Sequence, residues 1–234
     1  MKRDYFISVA MATYNGEKYI KEQIDSILNN LSEEDELVIS DDGSVDKTLE
    51  IIQSYQDNRI KLMNGPKKGV KQNFANALSK CRGKYIFLSD QDDIWEKNKV
   101  KKVLEVFENS DCSLVIHDCT VIDNQYKVLH DSFFKIRNSK KGIIKNIWKN
   151  SYIGCCMCFE KNLIDSVLPI PNRIEMHDQW IGILAEKKGN GSIFIFDKLI
   201  QYRRHENNVS KMKHHSIFVM LKNRWNFILQ MRKR

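Results

Sequence analysis

With 234 residues, the chain is long enough for one substantial α/β domain, or for one domain with a short appendage. Hydrophobic residues make up 42% of the chain and charged residues 29%, with only 10 Gly and 3 Pro, which excludes a fibrous or mainly disordered protein. The net charge of +8 is not accompanied by a nucleic-acid reader motif, so we expect no nucleic-acid partner.

Four short apolar runs in the first half alternate with apolar positions at helical spacing, and these runs are residues 5–12, 37–40, 60–63 and 85–88. Strands that are separated by helices predict parallel pairing through right-handed crossovers. Sheets of this kind bind ligands at the carboxyl ends of their strands. We therefore expect functional residues directly after each run.

The second half is less regular. Residues 114–117 and 193–196 have strand patterns, residues 153–159 are apolar, and residues 180–185 have a helical pattern. No internal repeat or convincing linker separates the halves. We predict one domain at 1–213, with a nucleotide-sugar half at 1–110 and an acceptor half at 111–213, followed by an appendage at 214–234.

The six cysteines are expected to be free thiols, because most lie in apolar runs where free Cys behaves as a small buried hydrophobe. Cys155 and Cys158 have CxxC spacing, but no second pair accompanies them, which disfavours a zinc site of that kind. Neither a signal-peptide pattern nor an apolar run of about 20 residues is present, so the predicted compartment is the cytoplasm.

An acidic cluster follows the run at 85–88. Asp90 and Asp92 lie two residues apart and can face one divalent ion together, and Asp93 adds a third carboxylate. Mg²⁺ and Mn²⁺ prefer such oxygen ligands and commonly bridge to substrate phosphates. A solvated turn that caps the next helix is the alternative explanation.

A second acidic cluster, Asp41 and Asp42, follows the run at 37–40. A carboxylate there can accept hydrogen bonds from a base or a ribose hydroxyl, although Asp also favours turns and helix N-caps. The first run ends at Ala12, followed by Thr13, Tyr14 and Asn15. All three clusters are expected at one edge of the sheet.

Three segments resemble the donor-site motifs of family 2 glycosyltransferases: ISVAMATYN at 7–15, LVISDDGSVDKT at 37–48 and FLSDQDDIW at 87–95. The resemblance covers at least residues 5–110 and continues at MHDQW, residues 176–180. Together with QYRRH at 201–205, it is similar to the bacterial rhamnosyltransferase-like branch that builds O-antigen and capsule chains.

The resemblance implies an α/β GT-A fold, Rossmann-like, with a mixed and mainly parallel central sheet flanked by helices. It also implies nucleotide-binding roles for Ala12, Tyr14 and Asp42, with Asp41 supporting their loop. Asp90 and Asp92 would form the DxD pair, in which Asp92 is the expected ligand of Mn²⁺ or Mg²⁺.

Further assignments concern Asp178, Trp180, His205 and the pair of Arg203 and Arg204. Asp178 matches the general base of the family, with a helix N-cap as the alternative. The nearby Trp180 either shields Asp178 from water or stacks on a sugar, or it belongs to the core. His205 is expected to complete the metal shell. Arg203 and Arg204 could meet the diphosphate through forked donors, with exposed loop cations as the alternative.

The predicted function is inverting sugar transfer from a UDP-hexose or dTDP-rhamnose donor to a glycan or lipid-linked oligosaccharide in cell-surface polysaccharide synthesis. The alternatives are a nucleotidyltransferase, disfavoured because no Gly-rich phosphate loop follows the first run, and a non-catalytic nucleotide-sugar-binding module. The tail at 214–234 is basic and amphipathic, so it either contacts the inner face of the cytoplasmic membrane or packs as an ordinary helix.

Overall fold

The computed structural model describes residues 5–187, 190–206, 208 and 217–234. Within these residues, nine strands form one sheet. The strands are β1 (Ile7–Thr13), β2 (Glu36–Asp41), β3 (Ile60–Asn64), β4 (Tyr85–Ser89), β5 (Ile94–Trp95), β6 (Leu114–Ile122), β7 (Val128–His130), β8 (Met157–Glu160) and β9 (Ser192–Arg203).

The α-helices lie between these strands and after the last one. They are α1 (Ile20–Leu28), α2 (Thr48–Gln53), α3 (Val70–Leu78), α4 (Lys99–Glu108), α5 (Phe133–Arg137), α6 (Ile143–Trp148), α7 (Ile164–Val167), α8 (His177–Lys187) and α9 (Ile217–Met231). Two 3₁₀ turns, Gly154–Cys156 and Lys161–Leu163, flank β8.

The first half forms the predicted parallel block, in the order β3-β2-β1-β4. Every residue of β1, β2 and β4 is buried, as expected for parallel strands that are covered by helices on both faces. Because these strands run in the same direction, the segments after β1, β2 and β4 meet at one edge of the sheet.

The second half extends the same sheet with mixed directions. β8 pairs antiparallel with both β4 and β6, and β6 pairs parallel with β9. β5, which the sequence patterns did not predict, is a two-residue strand that pairs antiparallel with β9. This pairing joins the segment after β4 to the end of β9, and so brings the two halves together at the acidic cluster.

One continuous hydrophobic core includes residues from both halves, and α9 joins it through the buried Phe227. The predicted appendage at 214–234 therefore corresponds to α9 from residue 217 onward, while its residues 214–216 lie outside the described residues. In the described part of the chain, every helix is too short or too polar to cross a lipid bilayer.

Candidate active site

The loop after β1 and the loop after β4 are tied together by Gln91, which lies between the two aspartates of the DxD pair. Its side-chain carbonyl Oε1 accepts the Tyr14 N–H at 2.8 Å, and its amide Nε2 donates to the Tyr14 carbonyl at 3.0 Å. Tyr14 itself is 56% exposed, whereas Ala12 is buried near the end of β1. The two residues predicted to line the nucleotide pocket thus flank the end of β1.

Asp41 organises the loop after β2. One of its oxygens, Oδ1, accepts the backbone N–H groups of Gly43 and Ser44, at 3.1 and 2.8 Å. The other, Oδ2, accepts the hydroxyls of Ser44 and Thr13, at 2.6 and 2.9 Å. The carboxylate is buried, and all four contacts bind it to its own loop and to the end of β1.

Asp42 is partly exposed and joins the loop after β2 to the segment before α3. Its Oδ1 accepts the Lys67 N–H at 2.6 Å, and its Oδ2 accepts the Gly69 N–H at 2.7 Å. A carboxylate can accept about four hydrogen bonds, so capacity remains for a ligand. Contact between Asp42 and a nucleotide base stays a prediction.

Asp92 and His205, which are 113 residues apart in sequence, meet directly. The His205 Nε2 lies 2.8 Å from the Asp92 Oδ2, and both side chains are largely buried, at 7% and 11% exposure. Asn208 donates from its amide to the same carboxylate oxygen at 3.3 Å. The His205 ring also stacks on Tyr19, with ring centroids 4.8 Å apart. A carboxylate oxygen and an imidazole nitrogen side by side are suitable ligands for one Mn²⁺.

Several carboxylates crowd around this pair. Burial, followed by repulsion from Asp92 and Asp178, raises the pKa of Asp90 to about 7. Burial and the charges of Asp92 and Asp90 raise the pKa of Asp93 well above its usual value. When neighbouring negative charges disfavour the ionised form of a carboxyl group, a bound cation stabilises that ionised form. The residues present therefore fit a divalent ion.

Lys99 provides one buried positive charge behind this cluster. Its ammonium donates to the Cys155 carbonyl at 2.8 Å and lies 3.8 Å from the centroid of the Trp95 ring. Burial lowers its pKa to about 8, while nearby Asp93 partly opposes this shift. The buried ammonium thus offsets part of the negative charge of the Asp90 and Asp93 carboxylates.

Asp178 lies in the first turn of α8 and is 7% exposed. Its Oδ1 accepts the amide of Asn150 at 3.1 Å and the N–H of Gln179 at 2.5 Å. Burial raises its pKa to about 6, although these two hydrogen bonds oppose the shift. Because Asp178 contributes to the raised pKa of Asp90, the two carboxylates lie within electrostatic reach of each other.

The prediction that Arg203 meets the diphosphate with free forked donors is not supported by its position. Its side chain is 2% exposed, its Nη2 lies 2.6 Å from a Glu22 carboxylate oxygen, and its Nε donates to the Asp92 carbonyl at 3.0 Å. Its guanidinium also packs near the rings of Tyr19 and Tyr126. Arg203 therefore stabilises the DxD loop through its bond to the Asp92 carbonyl.

Arg204, by contrast, remains partly exposed at the end of β9. Its backbone N–H donates to the Ile122 carbonyl at 2.8 Å, and its Nη1 donates to the Tyr202 hydroxyl at 3.2 Å. It helps line an open cavity of about 490 Å³ together with His205, Tyr19 and Lys18. Contact between Arg204 and a substrate stays a prediction.

Trp180 belongs to the core, which corrects the interpretation that it stacks on a sugar. The side chain is fully buried, its indole N–H donates to the Val167 carbonyl at 2.9 Å, and its ring packs edge-on against Phe227. A fully buried ring has no face available to a ligand. Sequence periodicity could not decide between the two interpretations, because one aromatic residue on a helix fits both.

We expect Trp180→Ala to lower the free energy of unfolding by about 3–5 kcal/mol, because it leaves a large cavity in the core. Urea denaturation followed by circular dichroism measures this loss. Tyr14→Ala is the matched control, since Tyr14 is 56% exposed and its removal should change stability by about 0.5 kcal/mol or less. An unfolding free energy of the Trp180 variant within about 1 kcal/mol of the parent protein would contradict this core role.

Sequence reasoning missed several residues that build the site. Gln91 and Asn150 carried no recognisable signal, because their partners Tyr14 and Asp178 are 77 and 28 residues away. Tyr19 stacks on His205, a contact that its place in the sequence just before α1 does not indicate. Lys99 was also missed, although its position on the same helical face as Val103 and Phe107 is an available clue.

The model of the family described as Glycosyl transferase family 2 matches residues 8–168 of this chain. Among curated relatives, dTDP-rhamnosyl transferase RfbG of Shigella flexneri is 33% identical over 217 residues, which are 85% of this chain and 72% of the relative. Escherichia coli WfgD, UDP-Glc:alpha-D-GlcNAc-diphosphoundecaprenol beta-1,3-glucosyltransferase, is 29% identical over 96% of this chain and 86% of its own.

A solved structure of S. aureus TarS residues 1–349, in complex with UDP-GlcNAc, superposes with a TM-score of 0.74. It is 19% identical and covers 95% of this chain and 66% of that chain, so the likeness concerns the fold. The predicted GT-A type of α/β fold is confirmed. The chain spans 53% of the length of one curated relative, so the activity of the whole protein is a matter for proposal.

Proposed function

The chain belongs to glycosyl transferase family 2, and from this premise we propose an inverting transfer of one sugar from a nucleotide-diphosphate donor to a glycan or lipid-linked oligosaccharide. The observation that carries the proposal is the meeting of Asp92 with His205 at the edge where the loops after β1, β2 and β4 converge. Two carboxylates with raised pKa values, those of Asp90 and Asp178, lie at the same edge.

The nucleotide would bind across the ends of β1 and β2. Tyr14 offers an exposed ring beside Ala12, and Asp42 offers the remaining acceptor capacity of its carboxylate. Asp41 holds the loop after β2 through the Ser44 N–H, and Gln91 holds the loop after β1 through the Tyr14 N–H. Rigid loops of this kind reduce the entropy that is lost when a donor is positioned.

Asp92 and His205, with Asp90 beside them, would hold Mn²⁺ or Mg²⁺, which supplies positive charge to the departing diphosphate. Arg203 fixes the carbonyl of Asp92, and Asp93 accepts the backbone N–H of Arg203 at 3.0 Å. These contacts hold the Asp92 side chain in one orientation, so that the ligands do not have to rearrange during the reaction.

Asp178 would take the proton of the acceptor hydroxyl. The acceptor oxygen then forms its bond to the anomeric carbon while the bond from that carbon to the diphosphate breaks, and the proton remains on the Asp178 carboxyl. A pKa of about 6 leaves this carboxylate ionised near neutral pH, yet more basic than an exposed aspartate. Asn150 orients the carboxylate through its amide.

The donor and acceptor classes are suggested by the relatives. The name of RfbG specifies a dTDP-rhamnosyl donor, and that of WfgD specifies UDP-Glc and a diphosphoundecaprenol-linked acceptor. We propose a UDP-hexose or dTDP-rhamnose donor for this chain, and an acceptor that belongs to cell-surface polysaccharide synthesis. A nucleotide-sugar panel with Mn²⁺ or Mg²⁺, with release of nucleoside diphosphate as the readout, tests this proposal.

The same assay separates the alternatives. A glycosyltransferase releases nucleoside diphosphate faster when an acceptor is present, whereas a nucleotidyltransferase releases pyrophosphate from a nucleoside triphosphate. A binding module retains the nucleotide sugar without releasing a product. Either of these last two outcomes would overturn the proposed reaction.

We also propose that α6 and α9 contact an anionic bilayer surface. Exposed apolar side chains on the two helices form what we term the aromatic patch: Ile144 and Trp148 on α6, with Phe218, Leu221 and Trp225 on α9. The helices meet where the Arg224 guanidinium lies 4.5 Å from the centroid of the Trp148 ring. Exposed Trp beside Lys and Arg favours the interface of an acidic membrane.

Replacing Trp148 and Trp225 by Ala is expected to weaken binding to vesicles that contain phosphatidylglycerol by about tenfold or more per tryptophan. Co-sedimentation with such vesicles measures the change. Phe196→Ala is the matched control, since Phe196 is 77% exposed on β9, outside the aromatic patch. Equal binding of the double variant and the parent protein would contradict the membrane contact.

A further inference from the structure

A second group of ligands lies next to the Asp92–His205 pair. One carboxylate oxygen each of Asp90 and Asp93, together with the Cys155 Sγ, all lie within 4.8 Å of one another. Cys155 comes from the 3₁₀ turn before β8, so the acceptor half of the chain contributes this third atom. Two carboxylates and a thiol at this spacing can close around one cation.

The Asp93 carboxylate points to a missing partner in this group. Asp93 is 1% exposed, its Oδ1 accepts the Arg203 N–H, and its buried Oδ2 has no N–H or O–H donor among the described residues, with the Cys155 thiol as its hydrogen-bonding neighbour. A thiol is a weak donor, so a bound cation would stabilise this buried oxygen more than the thiol does. Asp90 is only partly buried and provides an opening to solvent, whereas Cys155 is fully buried.

We propose that Asp90, Asp93 and Cys155 bind a thiophilic divalent cation of the Zn²⁺ or Cd²⁺ class, in a site that adjoins the Asp92–His205 pair and competes with it for Asp90. Sulfur selects soft cations, whereas Mg²⁺ and Mn²⁺ favour oxygen ligands. On binding, the Cys155 thiol loses its proton to solvent and the thiolate forms the bond to the cation.

The chemistry of Cys155 separates the two cation classes. Its sulfur lies within 4.8 Å of a carboxylate oxygen of Asp90 and of Asp93, so a cation held by the two carboxylates is also within reach of the sulfur. A Zn²⁺ ion binds the thiolate strongly enough to displace the proton, as Mg²⁺ does not.

Occupation of this site would withdraw Asp90 from the donor side. We therefore expect Zn²⁺ to inhibit sugar transfer that is supported by Mn²⁺, and this consequence rests on the proposed function. The binding itself does not rest on it, because it is observed without any substrate. Inhibition and binding are accordingly measured separately.

Titration of the full chain with Cd²⁺ tests the binding through the ultraviolet charge-transfer absorption of a cadmium–thiolate bond. We expect this band in the parent protein, together with release of about one proton per Cd²⁺ from the thiol. Cys155→Ser should abolish both signals, and Asp93→Asn should weaken Cd²⁺ binding by about tenfold or more. Cys158→Ser is the matched control, because Cys158 is 1% exposed and lies three residues further along the chain.

Two results would overturn the proposal: no band in the parent protein, or a band that survives in Cys155→Ser. If the surviving band is lost in Cys156→Ser instead, the cation lies among the neighbouring thiols of Cys156 and Cys119. Circular dichroism of each variant checks that it is folded. A chain that shows the band but transfers no sugar would refute the proposed function and leave this site standing.

In the activity assay, Zn²⁺ at a concentration that saturates the site should slow the parent enzyme by about tenfold or more, with Cys155→Ser slowed about twofold or less. Excess chelator followed by Mn²⁺ should restore the parent enzyme. Equal inhibition of both proteins would overturn inhibition through this site.

Discussion

Asp92→Asn is expected to reduce kcat by about 10³-fold while the protein stays folded. The substitution keeps the size of the side chain but removes the charge that faces His205 at 2.8 Å. Without that charge the pair would no longer hold the divalent ion that balances the leaving diphosphate. Steady-state release of nucleoside diphosphate over a range of Mn²⁺ concentrations measures the effect.

His205→Ala tests the same pair from its other member. If Asp92 and His205 share one cation, the two substitutions should be non-additive, and the double variant should lose about as much activity as either single variant. Asp111→Asn is the control, since Asp111 is an exposed carboxylate in the loop before β6, where it meets Asn190. A shared site would be contradicted if the fold reduction in activity of the double variant equalled the product of the two single reductions. A near-normal kcat for Asp92→Asn would contradict it as well.

Asp178→Asn is expected to reduce kcat by about 10²–10⁴-fold, because the acceptor hydroxyl loses its base. Donor affinity should change little, since Asp178 lies on α8 and Asp42 and Tyr14 lie on the nucleotide loops. Equilibrium binding of a nucleoside diphosphate separates the two effects. A variant that keeps full turnover would remove Asp178 from the role of base.

The pH dependence follows from the raised pKa of Asp178. The carboxylate is the active form, so activity should fall as the pH drops through about 6 and should level off above it. Asn150→Ala removes a hydrogen bond that favours the charged form, so it should shift the acidic fall in activity to higher pH. If the pH of this fall does not change, the titrating group is not Asp178. The neighbouring candidate is then Asp90, whose pKa is about 7.

Stability should change in the opposite direction to activity. Asp178 is charged above pH 6 in both folded and unfolded chains, but its raised pKa means that the buried charge costs free energy in the folded state. Asp178→Asn should therefore stabilise the protein by about 1–3 kcal/mol near pH 8. The gain should vanish below about pH 4, where the carboxyl is neutral in both states. Thermal unfolding at the two pH values measures the difference.

The proposed mechanism depends on residues that the sequence could name and on contacts between them that it could not place. The motif after β4 supplied Asp90 and Asp92, and the resemblance supplied Asp178 and His205. The contact between Asp92 and His205 needed the fold, because it depends on β5 pairing with β9. A two-residue strand such as β5 has too little periodicity to be recognised in a sequence.

Two predicted side chains show the limit of local patterns most clearly. Arg203 and Trp180 are polar or amphipathic residues within the motifs, so contact with a ligand was a reasonable interpretation. Both are buried, Arg203 against Glu22 and Trp180 against Phe227, because residues far away in sequence cover them. Burial at a given position depends on those distant residues, and a linear pattern carries little information about them.

The sequence by itself determined the parallel α/β arrangement and the edge of the sheet at which the acidic loops lie. Alternating strand and helix patterns dictate parallel strands, and parallel strands bring the segments after β1, β2 and β4 to one edge. The tertiary structure alone decided which atoms meet there, including the approach of Cys155 to Asp90 and Asp93. Such meetings arise from close packing between distant segments, which depends on all of the intervening side chains together.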